Sequence, residues 1–350
     1  MAQRIRIGLI GAGGNTRLRH IPGFLALPDV ELAAVCNRRP ESTEAIAREF
    51  KIPRTSARWE ELVADPNVDA ICIGTWPYLH GPITLAALEA GKHVLTEARI
   101  SINLAEAKQM LDAARQHPSL VTQVVPSPFG LKGDRLIRRL LASGFLGALR
   151  EVQVCHFTPA LADPHAPLSW RQDASLSGVN MLTLGIVHET LLRWVPPPVE
   201  VRAQTHAHIA TRVDASGSRQ PVGTPDSVQV LATLENGARA SYHFSGVTLF
   251  GQEGSIRLLG SDGVLHYDLL ADRILGASKQ QKQGPMRASE LPEIAIPPEE
   301  ARGWTVEADF IAAIREKKPI ELTTFEAGVA YMAFTEAVAE SAAKGHAVTI

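Results

Sequence analysis

The run Ile7-Gly8-Leu9-Ile10-Gly11-Ala12-Gly13-Gly14-Asn15-Thr16, with Cys36-Asn37-Arg38-Arg39 a little further on, decides how this chain folds. The first part is a short apolar strand that ends in a glycine turn. Ile5, Ile7, Leu9 and Ile10 suit a strand buried on both faces. Gly11 permits the tight turn, and Gly13 lets a pyrophosphate approach the backbone where a helix begins. Gly14 and Asn15 belong to the same nucleotide-binding loop. The third glycine or alanine of the pattern is absent, because Thr16 stands in its place. The surroundings make up for it. A helical stretch over Leu18 to Leu27 and a second strand over Glu31 to Cys36 complete the strand, glycine turn, helix and strand that the motif requires.

The second part of the quoted sequence lies where such a fold meets the adenosine ribose. An acid there would hydrogen-bond a free 2′-hydroxyl. Here a neutral Asn37 is followed by Arg38 and Arg39, which suits a 2′-phosphate better. NADP(H) is therefore the expected cofactor, favoured over NAD(H).

The 350 residues are enough for two hydrophobic cores. A net charge of −2 gives no basic footprint for nucleic acid or an anionic membrane, so neither is an expected partner. No apolar run approaches the roughly 18 residues that span a bilayer. The glycine motif follows Arg4 and Arg6 at once, with no apolar core of a secretory signal between them. Cys36, Cys72 and Cys155 all lie in strand-like runs and are odd in number, which fits buried thiols in a reducing cytoplasm.

Strand candidates at 4–10, 31–36, 69–74, 92–96 and 120–125 alternate with helix candidates at 16–27, 41–50, 58–65, 79–90 and 103–116. The alternation predicts a doubly wound parallel sheet of Rossmann type over residues 1–125. Ligands bind beyond the carboxyl ends of such strands, which singles out Gly11–Thr16, Asn37–Arg39, Gly74–His80 and Thr96–Ser101. After Pro126 the character changes. A helix over about 134–143 leads into strands at 148–157, 199–208, 227–235, 238–246 and 254–260. Residues 126–350 thus read as an α+β domain with an open, mostly antiparallel sheet. An apolar helix is expected over 178–194 and a long alanine-rich one over 326–343. Glu235-Asn236-Gly237 reads as a type I′ hairpin turn, and the polar segments 211–226 and 271–290 read as surface loops.

On these residues the chain resembles the glucose–fructose oxidoreductase/inositol dehydrogenase/MocA (Gfo/Idh/MocA) family from end to end. The resemblance rests on the glycine turn with His20-Ile21-Pro22, on the run from Asp69 to Thr75 with Pro77 and His80, and on the run from Ala87 to Glu97. It continues through Trp170-Arg171, Leu184-Gly185, Phe310 to Arg315 and Thr324 to Gly328. It implies oxidation or reduction of sugars, polyols or related small molecules with NAD(P). It also implies a homodimer or homotetramer assembled through the open C-terminal sheet. By the same resemblance Thr75, Trp76, His80 and Glu97 lie near the cofactor, and Arg171 approaches the cofactor or substrate.

The chain departs from the family where the chemistry sits. The family pattern Glu-Lys-Pro, whose lysine serves as general acid/base, is Glu97-Ala98-Arg99 here. Aligning the second motif, Asp-x-Gly-x-His, on Gly185 and Arg193-Trp194 puts Thr183 at the aspartate and Val187 at the histidine. Hydride exchange at an alcohol carbon needs a partner for the hydroxyl proton, and such a group contributes roughly 10²–10⁴-fold. The remaining candidates are His188 with its neighbour Glu189, Tyr78 and His80. Arg99 stays protonated and suits an anionic substrate or an oxyanion instead. His206 and His208 share one strand face near His243, without the accompanying ligands that would make a metal site. Three activities fit these residues. One is an NADP(H)-dependent oxidoreductase. Another is a lyase, dehydratase or glycosidase-like enzyme that retains its nucleotide. The third is a non-catalytic NAD(P)-binding sensor.

Overall fold

The computed structural model describes residues 4–282 and 284–350. The chain forms two compact units. One comprises the chain up to Pro126 with Ser175–Gly178 and Thr305–Met332, and the other comprises Ser127–Ala174, Val179–Trp304 and Ala333–Ile350.

In the first unit, β1 (Ile5–Ile10), β2 (Val30–Cys36), β3 (Ala70–Ile73), β4 (His93–Thr96) and β5 (Thr122–Val124) form a parallel sheet in the order β2-β1-β3-β4-β5. The strands are apolar throughout because both faces are covered, and Ile7 and Leu9 are fully buried. Helices α1 (Ile21–Leu25), α2 (Pro40–Phe50), α3 (Trp59–Ala64), α4 (His80–Glu89) and α5 (Leu104–Gln116) connect them. The sheet order reverses between β1 and β3, the switch point at which ligands bind such sheets.

The late segment Thr305–Met332 joins this unit through definite bonds. Val124 N–H donates to Thr323 O at 3.0 Å and Gln123 Nε2 to Leu322 O at 2.7 Å, along the free edge of β5. The helix α9 (Val306–Glu316) within it packs on α1. Lys92, in the turn before β4, is buried. Its Nζ donates to the carbonyls of Asp65 and Val68 at 2.9 and 2.7 Å, tying the turn before β3 to the one before β4.

The second unit is built on an eight-stranded sheet. Its elements in chain order are α6 (Asp134–Ala142), β6 (Leu149–Phe157), the single turn α7 (Ala174–Ser177), α8 (Leu184–Leu192), β7 (Pro198–His206), β8 (Thr211–Val213) and β9 (Arg219–Pro221). They continue as β10 (Ser227–Leu234), β11 (Arg239–Ser245), β12 (Glu253–Gly260), β13 (Gly263–Asp268), β14 (Arg273–Ser278), α10 (Phe325–Lys344), which starts in the first unit, and β15 (Val348–Thr349). The sheet order is β14-β13-β12-β6-β11-β10-β7-β15, with β6 and β11 the parallel pair in an otherwise antiparallel arrangement. One face packs against α6, α8 and the end of α10 through Leu136, Leu140, Leu184, Leu191, Phe334 and Val338.

Four expectations change here. Residues 211–226 are not all loop, since Thr211–Val213 and Arg219–Pro221 pair as a small hairpin. The region 271–290 contributes β14, whose register on β13 buries Ile274. The helix expected over 178–194 is only Leu184–Leu192, because the chain before it turns with Leu182 in the left-handed region at φ 44°. The β10–β11 connection is not type I′, which needs positive φ at two central residues. Only Gly237 has one (φ 83°), and its N–H donates to Leu234 O at 2.8 Å. This is the three-residue hairpin with a glycine bulge.

Candidate functional site

The chain leaves β1 through Gly11, at φ 84°, with its N–H on Cys36 O at 2.9 Å. A Cβ at Gly11 would lie 2.6 Å from Thr75 N, so the turn passes directly over the loop that follows β3. Gly13 and Gly14 are exposed, and a Cβ on either would meet nothing within 4 Å, which leaves their backbone open to a ligand. Asn15 is followed by a π-helical turn, Thr16–His20, that runs straight into α1. Thr16 explains how the third glycine of the motif can be missing. Its Oγ1 donates to Gly11 O at 3.2 Å, and a Cβ at Gly74 would run into both atoms. The close helix–strand packing that the third glycine usually permits is supplied by Gly74 at the end of β3.

A cleft of about 570 Å³ opens at this carboxyl end, lined by the glycine loop, Asn37–Arg39, Arg58–Glu60, Gly74–Trp76 and Tyr78. Asn37 is a brace within it. Its Oδ1 accepts from Ala12 N–H at 2.7 Å, and its Nδ2 donates to Ser42 Oγ at 2.8 Å and to Ser42 O at 3.2 Å. Arg38 and Arg39 are exposed, and the Arg38 guanidinium lies 5.0 Å from the centre of the Trp76 ring. Arg58 joins them because Ser56 N–H bonds Val35 O at 3.0 Å, which carries the segment after α2 along the outer edge of β2. Three guanidinium groups thus line one cleft against a single carboxylate, Glu60, which pairs with Arg58 at 3.5 Å. Such a field favours an anion. The sequence reading missed Arg58 and Trp59. Arg58-Trp59-Glu60 looks like an ordinary helix start, and its place beside β2 depends on backbone pairing.

On the other side of the glycine loop, Glu97 follows β4. Its Oε1 accepts from Asn15 Nδ2 at 2.5 Å and faces His20 Nε2 at 3.0 Å. His20 is fully buried, and its Nδ1 is held by the Glu307 carboxylate from α9. Burial disfavours the imidazolium, but the hydrogen bonds to Glu307 and Glu97 outweigh it and raise His20 to about 9. For Glu97 the burial cost is likewise overcome, by the hydrogen bond from His20, so its carboxyl is held below the usual range. His20 enters only through the resemblance, and Glu307 carries no motif signal at all. Their partnership spans 287 residues of chain.

The remaining first-unit candidates separate. Trp76 and Tyr78 line the cleft with ring centres 6.5 Å apart. His80, expected beside the cofactor, is fully buried. Its Nδ1 lies 2.8 Å from Arg99 O and its Nε2 3.0 Å from Thr75 O, so it sits between the two loops and, when neutral, donates its one N–H to one of the two carbonyls. Burial lowers its pKa, which keeps the ring neutral. Arg99 is buried at 6 % exposure.

His188, Glu189 and Arg171 belong to the second unit. His188 is fully buried, with its ring stacked 3.7 Å from Phe334 and its Nδ1 3.1 Å from the Tyr242 hydroxyl. Burial pushes its pKa down to about 3, so it is neutral at any ordinary pH. Glu189 pairs with Arg193 at 2.6 Å and accepts from Ser127 N–H at 2.9 Å. Both residues have a packing environment, contrary to the expectation that they handle a proton. Arg171 is exposed, with its guanidinium 4.3 Å from the Trp170 ring. Among the described residues no three His, Cys, Asp or Glu side chains are grouped to hold a metal ion, and no helix is long and apolar enough to cross a membrane.

Comparison with known proteins agrees with this architecture. The profile described as "Oxidoreductase family, NAD-binding Rossmann fold" (GFO_IDH_MocA) matches residues 5–124, and that of the GFO/IDH/MocA C-terminal domain matches residues 135–266. The 1,5-anhydro-D-fructose reductase of Ensifer adhaerens is 28% identical over 354 residues, covering 99% of this chain and 98% of that protein. Levoglucosan dehydrogenase of Pseudarthrobacter phenanthrenivorans is 26% identical over 263 residues, covering 68% of this chain and 67% of that protein. A solved structure of levoglucosan dehydrogenase, in complex with NADH and L-sorbose, shares the fold with a TM-score of 0.88. It is 22% identical, and the match covers 99% of this chain and 98% of that one. With both halves matched in order, a glycine turn at the switch point and an open sheet in the second unit, the chain belongs to the Gfo/Idh/MocA family of oxidoreductases.

Proposed function

We propose that this protein is an NADP(H)-dependent oxidoreductase acting on a sugar, polyol or related small hydroxy or carbonyl compound. The observation that carries the cofactor half is the cleft in which Arg38, Arg39 and Arg58 converge beyond β2, beside a glycine loop with an open backbone. The residues fit a phosphorylated dinucleotide. Gly11, Gly13 and Gly14 leave room for a pyrophosphate, and the arginines suit a 2′-phosphate. Asn37 supports the same reading by default, because its amide is spent on Ala12 and Ser42 and offers no carboxylate to a free 2′-hydroxyl. Bound there, the dinucleotide would supply the hydride donor or acceptor. The names of the relatives, a 1,5-anhydro-D-fructose reductase and a levoglucosan dehydrogenase, support the substrate class.

Of the proton-handling candidates, Tyr78 lines the cleft, and its hydroxyl both donates and accepts. The first unit is the nucleotide domain, and the second binds substrate and assembles the homo-oligomer through its uncovered sheet face. Three free thiols, Cys36, Cys72 and Cys155, support a cytoplasmic location.

Titration of the nucleotide-stripped protein with NADPH and NADH tests the reading. Arg38→Ala should weaken NADPH by about 10–100-fold, the value of a charge-assisted phosphate contact, and NADH by less than about threefold. Equal losses would remove the 2′-phosphate assignment. With carbonyl substrates, a net absorbance change at the nicotinamide band supports the oxidoreductase. Product without net change points to the enzyme that retains its nucleotide. Binding without turnover points to the sensor.

A further inference from the structure

The Asn15–Glu97–His20–Glu307 cluster is not accounted for by the chemistry assigned above. It places an imidazolium and two carboxylates in the interior of the first unit, where charges are retained only if they are paired and hydrogen-bonded. Glu307 is 3 % exposed and His20 is fully buried. The packing around them is close. A Cβ on Gly23, one turn into α1, would lie 2.6 Å from Glu307 Oε2, so α1 is cut back to admit that carboxylate. The cluster also coincides with a π-helical turn, Thr16–His20, a local distortion common at functional sites. At its other end it reaches the nucleotide loop itself, through Asn15.

Its position in the sheet says which half of a dinucleotide it serves. The arginine end of the cleft follows β2, and Glu97 follows β4. The sheet order β2-β1-β3-β4-β5 puts them on opposite sides of the glycine turn. With strands about 4.8 Å apart, the ends of β2 and β4 are separated by roughly 14 Å. A dinucleotide whose adenosine phosphate lies on Arg38 and whose pyrophosphate lies on the glycine loop therefore extends its nicotinamide half toward Glu97. The two ends are braced independently, the adenosine end by Asn37 on Ala12 and Ser42, the other end by His20 on Glu97.

We propose that His20 and Glu307 are positioning residues for the nicotinamide half of the nucleotide: they hold Glu97, and through it Asn15, in the arrangement that receives that half. This rests on the dinucleotide reading above and adds to it two residues from the glycine-loop helix and from α9. His20 touches neither cofactor nor substrate. It acts by fixing one oxygen of Glu97, Oε1, which already accepts from Asn15. The groups that face the imidazolium are Glu97 after β4 and Glu307 on α9. Cys72 on β3 and His80 at the start of α4 feel the Glu97 charge. Burial, reinforced by Glu97 and Glu307, holds the Cys72 thiol well above its ordinary value, and burial holds His80 neutral, so neither competes for the same proton near neutrality. Loss of the His20 proton releases Glu97, and binding of the nicotinamide half weakens as pH rises through about 9.

The test compares two probes on the full-length protein, NADPH and 2′,5′-ADP, the second carrying only the adenosine half. Their ratio of dissociation constants cancels the ionisation of the shared 2′-phosphate and of its arginines. His20→Gln and Glu307→Gln should each weaken NADPH about tenfold or more while 2′,5′-ADP stays within about twofold. The wild-type ratio, taken as Kd for 2′,5′-ADP over Kd for NADPH, should shrink as pH is raised from 7.5 past about 9, and the His20→Gln ratio should stay flat. Glu307→Gln keeps a hydrogen-bonding side chain of the same shape and serves if His20→Gln does not fold. The thermal midpoint of each variant is recorded alongside. Equal losses for both probes, or unchanged NADPH affinity, would mean that the cluster only stabilises the fold, and the proposal fails. If the wild-type protein binds neither probe, the dinucleotide reading itself falls, and the positioning role with it. If it binds both probes and the ratio is insensitive to the variants and to pH, only the positioning role falls.

Discussion

His188 shows how much a residue's surroundings outweigh its type. An imidazole beside a carboxylate is a natural proton carrier, yet this one is stacked on Phe334 and capped by the Tyr242 hydroxyl. Its pKa is about 3 in the folded chain and about 6.5 when unfolded. Below pH 6.5 the unfolded chain therefore takes up a proton that the folded chain refuses. Stability is lost as pH falls through that window, by about 1.4 kcal/mol for each pH unit. His188→Phe should cost about 1–3 kcal/mol at pH 7, by stranding the Tyr242 hydroxyl, and should flatten the acid limb of the denaturation profile. Turnover should stay near the wild-type rate, and a large loss of rate would return His188 to the chemistry. Tyr78 is the opposite case, a residue whose position gives it access to the cleft. Tyr78→Phe removes only the hydroxyl at the arginine end of the cleft, so kcat should stay within about threefold, and a loss of about 10²–10⁴-fold with NADPH affinity unchanged would make Tyr78 the proton partner. His20 carries the reverse linkage to His188. Its folded pKa is raised to about 9, so its contribution to stability is complete below about 6.5 and is lost as pH rises through about 9.

At the scale of elements, the first βα turn works as an interlock. Gly11 crosses over Thr75, Thr16 bonds back to Gly11, and Gly74 leaves the space that both need. Gly74→Ala should destabilise the fold by about 1–3 kcal/mol and loosen nucleotide binding, because the added methyl meets Thr16 Oγ1 and a backbone carbonyl. Adding Thr16→Gly should recover part of that loss, about 1 kcal/mol of coupling in a double-mutant cycle, while the clash with Gly11 O remains. Strict additivity would mean that the two sites do not share the space. The same scale explains the strand misreadings. A segment such as 271–290 is polar because an edge strand buries one side only. β14 alternates buried Ile274, Gly276 and Ser278 with exposed Arg273 and half-buried Leu275 and Ala277, a weak pattern beside the run of β1.

For the whole molecule, the eight-stranded sheet packs its helices on one face and leaves the other uncovered. Leu231, on β10, is 65% exposed, paired with Ser241 on β11 and Arg202 on β7. The proposed homo-oligomer covers it. Light scattering should give at least twice the chain mass of 37.8 kDa. Leu231→Arg should shift the protein to monomer while leaving NADPH affinity within about twofold, since the glycine-loop cleft proposed for the nucleotide lies in the other unit. A wild-type monomer, or an oligomer indifferent to that charge, would place the interface elsewhere.

The amino-acid sequence by itself determined the parallel sheet, the glycine turn and the pair Arg38-Arg39, because each is local: an apolar run, a turn that only glycine permits, and charge at a fixed offset from a strand end. It also exposed the loss of the usual lysine, since Ala98 needs no structure to be seen. What only the tertiary structure decided depends on partners far apart in the chain. Arg58 enters the cleft by pairing beside β2, Asn37 is spent as a brace, His80 turns inward, and His188 disappears into a core. Glu307 meets His20 across 287 residues of chain. Local propensity specifies which element forms. Whether a polar side chain faces a cleft or is satisfied inside is fixed by the packing of elements that the sequence order does not bring together.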